Sequence, residues 1–154
     1  MNELVLITAS VEDTIALGAR IGAVLQAGDF VSLEGPLGAG KTRLAEGIAR
    51  GLGVGEEQRI PSPTFTLVNE HAGRVPLIHA DFYRLDSADE LEGLGWRDLL
   101  EREAVLVVEW LSVVGKAQAP ADRLEIEMDN LGARRRVILR AMGPRASARL
   151  DALR

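Results

Sequence analysis

The chain has 154 residues, 47% hydrophobic and 27% charged, which suffices for one hydrophobic core but not for two ordinary domains, so we expect a single domain over residues 1–154. A net charge of −5 disfavours a general nucleic-acid coat protein, DNA-binding proteins included, and the absence of cysteine excludes disulfides, thiolate metal sites and cysteine nucleophiles. No stretch approaches the roughly 20 apolar residues that span a bilayer, and no targeting segment precedes the first apolar run, which predicts a soluble, cytoplasmic protein without a membrane partner.

The first third of the chain alternates short apolar runs with helical patterns. Residues 4–7 predict a strand, and Thr8 or Ser10 before two acidic residues predicts a helix start, with helical spacing continuing until Gly28. Residues 30–33 predict a buried strand, which a glycine-rich loop follows directly. An amphipathic helix then runs to about residue 50.

The remaining two thirds predict further strands with short helices between them. Two antiparallel hairpins are expected, one from residues 64–68 and 75–82 and one from residues 124–128 and 135–139. A continuous apolar run at residues 104–108 predicts a buried strand. Short helices are expected at a capping box beginning at Ser87 and over residues 98–102, and the basic C-terminal segment, about residues 131–154, is expected to be helical or frayed.

The glycine-rich loop has the sequence GPLGAGKT and fits the phosphate-binding pattern G-x-x-x-x-G-K-[ST]. In this pattern backbone amides and a helix N-terminus surround phosphates, the lysine reaches the terminal phosphates and the hydroxyl binds Mg²⁺. The chain has 18 basic residues and only Lys41 and Lys116 are lysines, so lysine stands where a compact ammonium is needed. We expect ATP and Mg²⁺ as cofactors, with ATP bound by Gly35, Pro36, Leu37, Gly38, Ala39, Gly40, Lys41, Thr42 and Trp110.

The strand, loop and helix predict an α/β fold similar to P-loop NTPases, with a mixed, mostly parallel sheet flanked by helices.

Two acidic residues are candidates for metal binding and catalysis beside Thr42. Glu109 ends the apolar run and therefore lies at the carboxyl end of a predicted strand, where ligands of α/β sheets collect. Asp81 is its rival, because it projects to the same strand face as His79 and Tyr83. We expect one acid to hold Mg²⁺ and the other to orient the attacking water, and leave open which does which. The ordinary alternatives are a solvent-exposed strand end for Glu109 and a solvated strand face for Asp81.

A third catalytic candidate, Thr64, follows Ser62 and Pro63 between two predicted strands. A threonine in such a proline-fixed loop is expected to reach the γ-phosphate side of Mg²⁺, as switch loops do. The alternative is a β-former that simply starts its strand. Trp110 directly follows the candidate acid Glu109, and we expect it to contact the nucleotide or a partner, although most aromatic residues belong to a core.

Four sequence segments together resemble the bacterial TsaE family of tRNA threonylcarbamoyladenosine biosynthesis. They are LEGPLGAGKT at residues 33–42, SPTFTLV at 62–68, HADFYRL at 79–85 and VVEW at 107–110. The resemblance implies a small P-loop fold, phosphate and Mg²⁺ binding by Lys41 and Thr42, a switch-like loop at Thr64, and roles of Asp81 and Glu109 in metal binding and hydrolysis. It also implies action with TsaB and TsaD, and with tRNA only indirectly. One departure is Pro36, where the family commonly has an acidic residue, which puts the hydrolysis rate and loop motion in question.

The leading hypothesis is therefore a partner-dependent ATPase whose hydrolysis resets a TsaB–TsaD complex during tRNA modification, slow on its own. The main alternative is a small-molecule kinase with arginines at 134–136 as phosphate clamps, although no acceptor element is recognisable. A switch GTPase is disfavoured because no Asn-Lys-x-Asp element exists. A non-hydrolysing assembly factor also stays open. The seven arginines of residues 131–154 predict either a solvated surface or a contact with RNA or an acidic partner.

Overall fold

The computed structural model describes residues 2–63 and 66–154. Its sheet contains the strands β1 (Glu3–Thr8), β2 (Phe30–Glu34), β3 (Val68–His71), β4 (Leu77–Asp81), β5 (Val105–Glu109), β6 (Arg123–Leu131) and β7 (Arg134–Met142). The α-helices are α1 (Val11–Val24), α2 (Lys41–Gly51), α3 (Trp96–Glu101) and α4 (Pro144–Ala152), and 3₁₀ helices form at Ala88–Leu94, Leu111–Val113 and Lys116–Gln118. Within these described ranges, no helix has the length and apolar character that crossing a membrane requires.

The strands form one mixed sheet in the order β1-β7-β6-β2-β5-β4-β3. The central pairings β6–β2, β2–β5 and β5–β4 are parallel, and the pairings at both flanks are antiparallel. This arrangement confirms the expected mixed α/β sheet flanked by helices. In the β2–β5 pairing Leu33 lies opposite Glu109, so Glu109 and the start of the glycine-rich loop share the carboxyl edge of the sheet.

Hydrophobic cores cover both faces of the central strands. Because side chains alternate along a strand, Val105 and Val107 of β5 pack with the helices α1, α2 and α4, whereas Leu106 and Val108 face the opposite side. On that opposite side Trp96 makes edge-to-face contacts, its ring centroid 6.1 Å from that of Phe30 and 5.2 Å from that of Phe82.

Helices α1 and α2 run side by side in the same direction with their backbones in contact. A Cβ atom on Gly18 would lie 2.4 Å from Leu44 O, and one on Gly47 would lie 2.1 Å from Ile15 O. Only glycine permits this approach. The contact places the start of α1 beside the start of α2, which brings Ser10 and Thr14 to the glycine-rich loop.

Most predicted elements are confirmed, with shifted ends. The first helix has Ser10 as its N-cap and ends at Val24 rather than at Gly28, and the basic C-terminal segment contributes β7 and the helix α4. The strand predicted over residues 64–68 is confirmed at Val68, where β3 begins, and is wrong at residues 66–67. Residues 66–67 form a turn in which Leu67 has a left-handed φ of 67° and donates its N–H to Pro63 O at 2.8 Å, so β3 begins only at Val68. Positions 64 and 65 lie outside the described residues.

Candidate functional site

The loop at residues 35–42, here called the glycine loop, passes directly against strand β6. Gly35 has a φ of 148°, and a Cβ at this position would lie 2.4 Å from Met128 O. Gly40, with a φ of 102°, is the N-cap of α2 and provides no side-chain cap. The first amides of α2 therefore face the loop without a side-chain acceptor from the cap position, an arrangement suited to an anion.

Lys41 is folded back onto the glycine loop. Its Nζ donates hydrogen bonds to Gly35 O at 2.6 Å and to Pro36 O at 2.9 Å, and it lies 4.4 Å from the centroid of the Trp110 ring. Burial lowers the pKa of Lys41, an effect that the nearby acids, Glu109 foremost, oppose. The ammonium is thus largely desolvated, and a phosphate could replace the two carbonyl acceptors.

Glu109 is paired with His79 beneath the loop. His79 Nε2 lies 2.6 Å from Glu109 Oε2, and the two side chains are 0% and 3% exposed. The structure thus places His79 on the same face as the acids, as the strand alternation predicts. It shows that Glu109 is a buried carboxylate with a specific partner rather than an exposed strand end.

Asp81 lies beside Glu109 on the neighbouring strand, where the β4–β5 register aligns the two residues. Its Oδ1 accepts the backbone N–H of Tyr83 at 2.9 Å, and its Oδ2 accepts the Ser62 hydroxyl at 3.3 Å. Burial raises the pKa of Asp81, with a smaller contribution of the same sign from the Glu109 charge. The interpretation of Asp81 as part of a solvated strand face is therefore wrong, since its side chain is 5% exposed.

These groups surround one cavity of about 560 Å³, a volume typical of small-molecule sites. Of the residues predicted for the site, the cavity is lined by Leu37, Gly38, Gly40, Lys41, Thr42, Asp81, Glu109 and Trp110. Gly35 and Pro36 contribute carbonyls behind the cavity, and Ala39 is buried in the core. Thr64 lies outside the described residues.

Sequence reasoning missed two segments that complete the cavity wall. Ser10, Val11 and Thr14 come from the start of α1, and Gly132, Ala133 and Arg135 come from the hairpin between β6 and β7. Arg135 Nη2 reaches Gly38 O at 3.5 Å, so this hairpin touches the glycine loop. The sequence predicts a role for the arginines at 134–136 only in the kinase alternative, as phosphate clamps, and Arg136 instead pairs with Asp129. No local sequence pattern predicts the β2–β6 pairing, which brings the hairpin to the loop.

Two aromatic rings form the opposite side of the cavity. Tyr83 and Trp110 have ring centroids 4.8 Å apart, and Trp110 adopts a left-handed φ of 62°, which is unfavourable for a bulky residue. This conformation directly after Glu109 places the indole ring beside Lys41.

The donor set fits Mg²⁺. Among the described residues no group of three or more histidine, aspartate or glutamate side chains could hold a metal alone. Mg²⁺ usually takes one or two carboxylates, keeps several waters and shares phosphate oxygens. The Thr42 hydroxyl and the carboxylates of Asp81 and Glu109 line the same cavity, so these are the residues that would hold the ion.

The basic C-terminal segment is largely neutralised within the chain. Arg145 and Arg149 pair with Asp29, and Arg140 pairs with Glu3 and Glu127. These arginines serve intramolecular contacts, which favours a structural interpretation of the segment over an RNA-binding surface.

Comparison with known proteins identifies the family. The family model described as "Threonylcarbamoyl adenosine biosynthesis protein TsaE" matches residues 8–138. The chain is 37% identical over 147 residues to the tRNA threonylcarbamoyladenosine biosynthesis protein TsaE of Bacillus subtilis, covering 94% of this chain and 90% of the relative. It is 53% identical over 110 residues to TsaE of Mycobacterium bovis, covering 65% and 64% of the two chains.

A solved structure agrees with these sequence relationships. The crystal structure of Bacillus subtilis YdiB matches with a TM-score of 0.85 and 32% identity, over 98% of this chain and 93% of that chain. The resemblance seen in the four sequence segments is thereby confirmed: the chain belongs to the TsaE family, which is involved in threonylcarbamoyladenosine biosynthesis of tRNA.

Proposed function

We propose that this chain is an ATPase that binds ATP with Mg²⁺ in the cavity at the glycine loop. The observation that carries the proposal is the convergence of Lys41 and Thr42 with Asp81 and Glu109 on one cavity. A cation, a hydroxyl and two carboxylates, next to helix amides that receive no side-chain cap from Gly40, are the groups that phosphoryl transfer to water requires.

Each group has a distinct proposed task. The amides of residues 35–42 and Lys41 hold the phosphates, and Thr42 with one carboxylate holds Mg²⁺, which neutralises phosphate charge when bound. We assign Asp81 mainly to the metal and Glu109 mainly to the attacking water. Glu109 would also hold a water bound to Mg²⁺, so the orientation of its carboxylate affects the affinity for the ion. The part of the cavity wall formed by Ser10 and Gly132 is the proposed place of the nucleoside. The role of Thr64 stays a prediction.

The proposed biological role is to reset a TsaB–TsaD complex during tRNA modification, with tRNA reached only through that complex. Family membership supports the process, and the site supports the need for a partner. The arginines that line the cavity are Arg43 and Arg135; Arg43 pairs with Glu46, and Arg135 donates to loop and hairpin carbonyls. Hydrolysis by the chain alone should therefore be slow, because a charge supplied by a partner commonly adds roughly 10³- to 10⁵-fold in rate.

The test is phosphate release by the chain alone, with the TsaB–TsaD pair, and with the pair plus tRNA, alongside multiple-turnover tRNA modification. We expect slow release alone and faster release with the pair. Glu109→Gln should reduce the stimulated rate by about 10²-fold or more, since it removes a group that orients water in the transition state. If the pair neither binds nor stimulates and modification proceeds without this chain, the proposal fails. A phosphorylated small-molecule product would instead support the kinase alternative.

A further inference from the structure

We propose that His79 is a positioning residue for Glu109, holding one carboxylate oxygen from behind so that the other faces the cavity. The inference rests on the proposed function, because it concerns how this carboxylate is presented to Mg²⁺ and water. It assigns a task to a buried side chain that the proposed ATPase chemistry does not otherwise use.

The two strands create the contact through their register. His79 lies two residues before Asp81 on β4 and opposite Val107 of β5. Side chains on alternate positions share a face and Asp81 is aligned with Glu109, so His79, Asp81 and Glu109 all project from the same face of the sheet. The Glu109 carboxylate reaches back toward the sheet interior, where His79 Nε2 lies 2.6 Å from its Oε2.

Burial makes this hydrogen bond consequential. Both side chains are almost completely inaccessible to solvent, and a buried carboxylate requires hydrogen-bond donors. Lys41 acts on Glu109 through its charge, and the hydrogen bonds that its Nζ donates go to Gly35 O and Pro36 O. Among residues 2–63 and 66–154, the Glu109 side chain forms its hydrogen bond with His79.

The unpaired ring nitrogen defines the direction of the bond. His79 Nδ1 is buried and has no hydrogen-bond partner in the described part of the chain. A proton on Nδ1 would be a buried donor without an acceptor, whereas a proton on Nε2 is donated to Glu109. The ring therefore carries its proton on Nε2 and acts as the donor.

Only one residue of the His79–Glu109 pair lines the cavity, so the two residues have different roles. Glu109 lines the cavity, but His79 does not. His79 thus contacts Glu109, which would hold Mg²⁺ or its bound water, and does not contact the space where nucleotide and ion would lie. Such supporting hydrogen bonds fix the orientation of a ligand, and their loss commonly costs about 10- to 100-fold in metal affinity.

The chain offers a matched set of variants for a test. In His79→Gln the amide nitrogen can occupy the place of Nε2, whereas in His79→Asn the shorter side chain cannot reach it. His71→Asn is the control, because His71 is also buried and also has a ring nitrogen without a partner among the described residues, yet it does not line the cavity. Both asparagine variants bury a similar polar group.

The measurement is calorimetric affinity for adenylyl imidodiphosphate with Mg²⁺ and with EDTA. We expect His79→Asn to weaken binding about tenfold or more with Mg²⁺ but less than about twofold in EDTA. His79→Gln should recover most of the loss, and His71→Asn should match the wild type in both conditions. The inference is overturned if His79→Asn behaves like His71→Asn, or weakens binding equally with and without metal. Wild-type protein that shows no Mg²⁺-dependent binding would overturn the proposed function and this inference with it.

Discussion

The Lys41 ammonium lies 4.4 Å from the centroid of the Trp110 ring while it donates hydrogen bonds to two carbonyls of its own loop. A cation this close to an indole and largely desolvated gains roughly 2 kcal/mol from the ring. The carbonyls of the glycine loop are therefore occupied by the loop's own lysine. A nucleotide must draw the ammonium from these acceptors, and Trp110 should respond.

Trp110 fluorescence should therefore report nucleotide binding. In a Trp96→Phe background, which leaves Trp110 as the single tryptophan, we expect Mg²⁺ with an ATP analogue to change the emission intensity as Lys41 moves from the ring to the phosphates. Adding Lys41→Met should abolish most of the change at the same degree of saturation. An identical change with lysine or methionine at position 41 would contradict this role of the ring.

Asp81→Asn should stabilise the unliganded fold at neutral pH. Burial raises the pKa of Asp81 above 3.8, so the native state binds the proton more tightly than the unfolded chain, and the ionised group costs stability at pH 7. Asparagine keeps an oxygen for the Tyr83 N–H and has no charge. We expect a higher thermal midpoint for Asp81→Asn at pH 7.

The pH dependence of that difference provides the check. As the pH falls through the raised pKa toward 3.8, Asp81 takes up its proton in the wild type, and its cost disappears. The advantage of the asparagine variant should shrink accordingly. A variant less stable than the wild type at pH 7 would contradict the assignment of burial as the dominant effect.

The sequence identified the glycine loop and both acids because each belongs to a local pattern. It could not identify the partner of Glu109, since His79 lies 30 positions away and meets it only through the β4–β5 register. Arg135 is predicted only as a phosphate clamp of the kinase alternative. Its contact with Gly38 depends on the parallel pairing of β6 with β2, which brings its hairpin to the loop. Side-chain alternation gave the face of His79 but not which neighbour its ring contacts.

The strand predicted over residues 64–68 is wrong at residues 66–67 for a different reason. β-Branched and aromatic residues favour a strand, but the left-handed backbone of Leu67 and its hydrogen bond to Pro63 O form a turn instead. A local turn thus overrides strand propensity at these two residues. The Leu67 carbonyl then accepts the Asp81 N–H at 2.9 Å, which ties the turn to the candidate site.

Gly47→Ala should be strongly destabilising, because its Cβ would lie 2.1 Å from Ile15 O and force α1 and α2 apart. We expect a loss of about 1 to 3 kcal/mol in the free energy of unfolding, measured by urea denaturation. Gly93→Ala is the control, since a Cβ there meets nothing within 4 Å, and it should change stability by less than about 0.5 kcal/mol. Equal effects of the two changes would contradict the close helix contact.

Asp29 should hold the C-terminal helix in place. Its carboxylate pairs with Arg145 and Arg149 of α4, with both Nε–O distances 2.7 Å. Asp29→Asn should cost about 1 to 3 kcal/mol, since hydrogen bonds to a charged group are lost, and hydrogen exchange of α4 amides should accelerate. Asp151→Asn removes an exposed partner of Arg154 and should have little effect. Unchanged exchange in Asp29→Asn would show that apolar packing alone holds the helix.

The most direct test of the account is the thermal midpoint with and without Mg²⁺ and ATP for wild type, Lys41→Ala and Lys116→Ala. These are the two lysines of the chain, and Lys116 pairs with Glu125 away from the cavity. At about 100 times the dissociation constant, ligand adds about 2.7 kcal/mol, or roughly 5 to 10 °C in midpoint. We expect this shift in the wild type and in Lys116→Ala and its loss in Lys41→Ala; an equal shift in all three proteins would contradict nucleotide binding at the glycine loop.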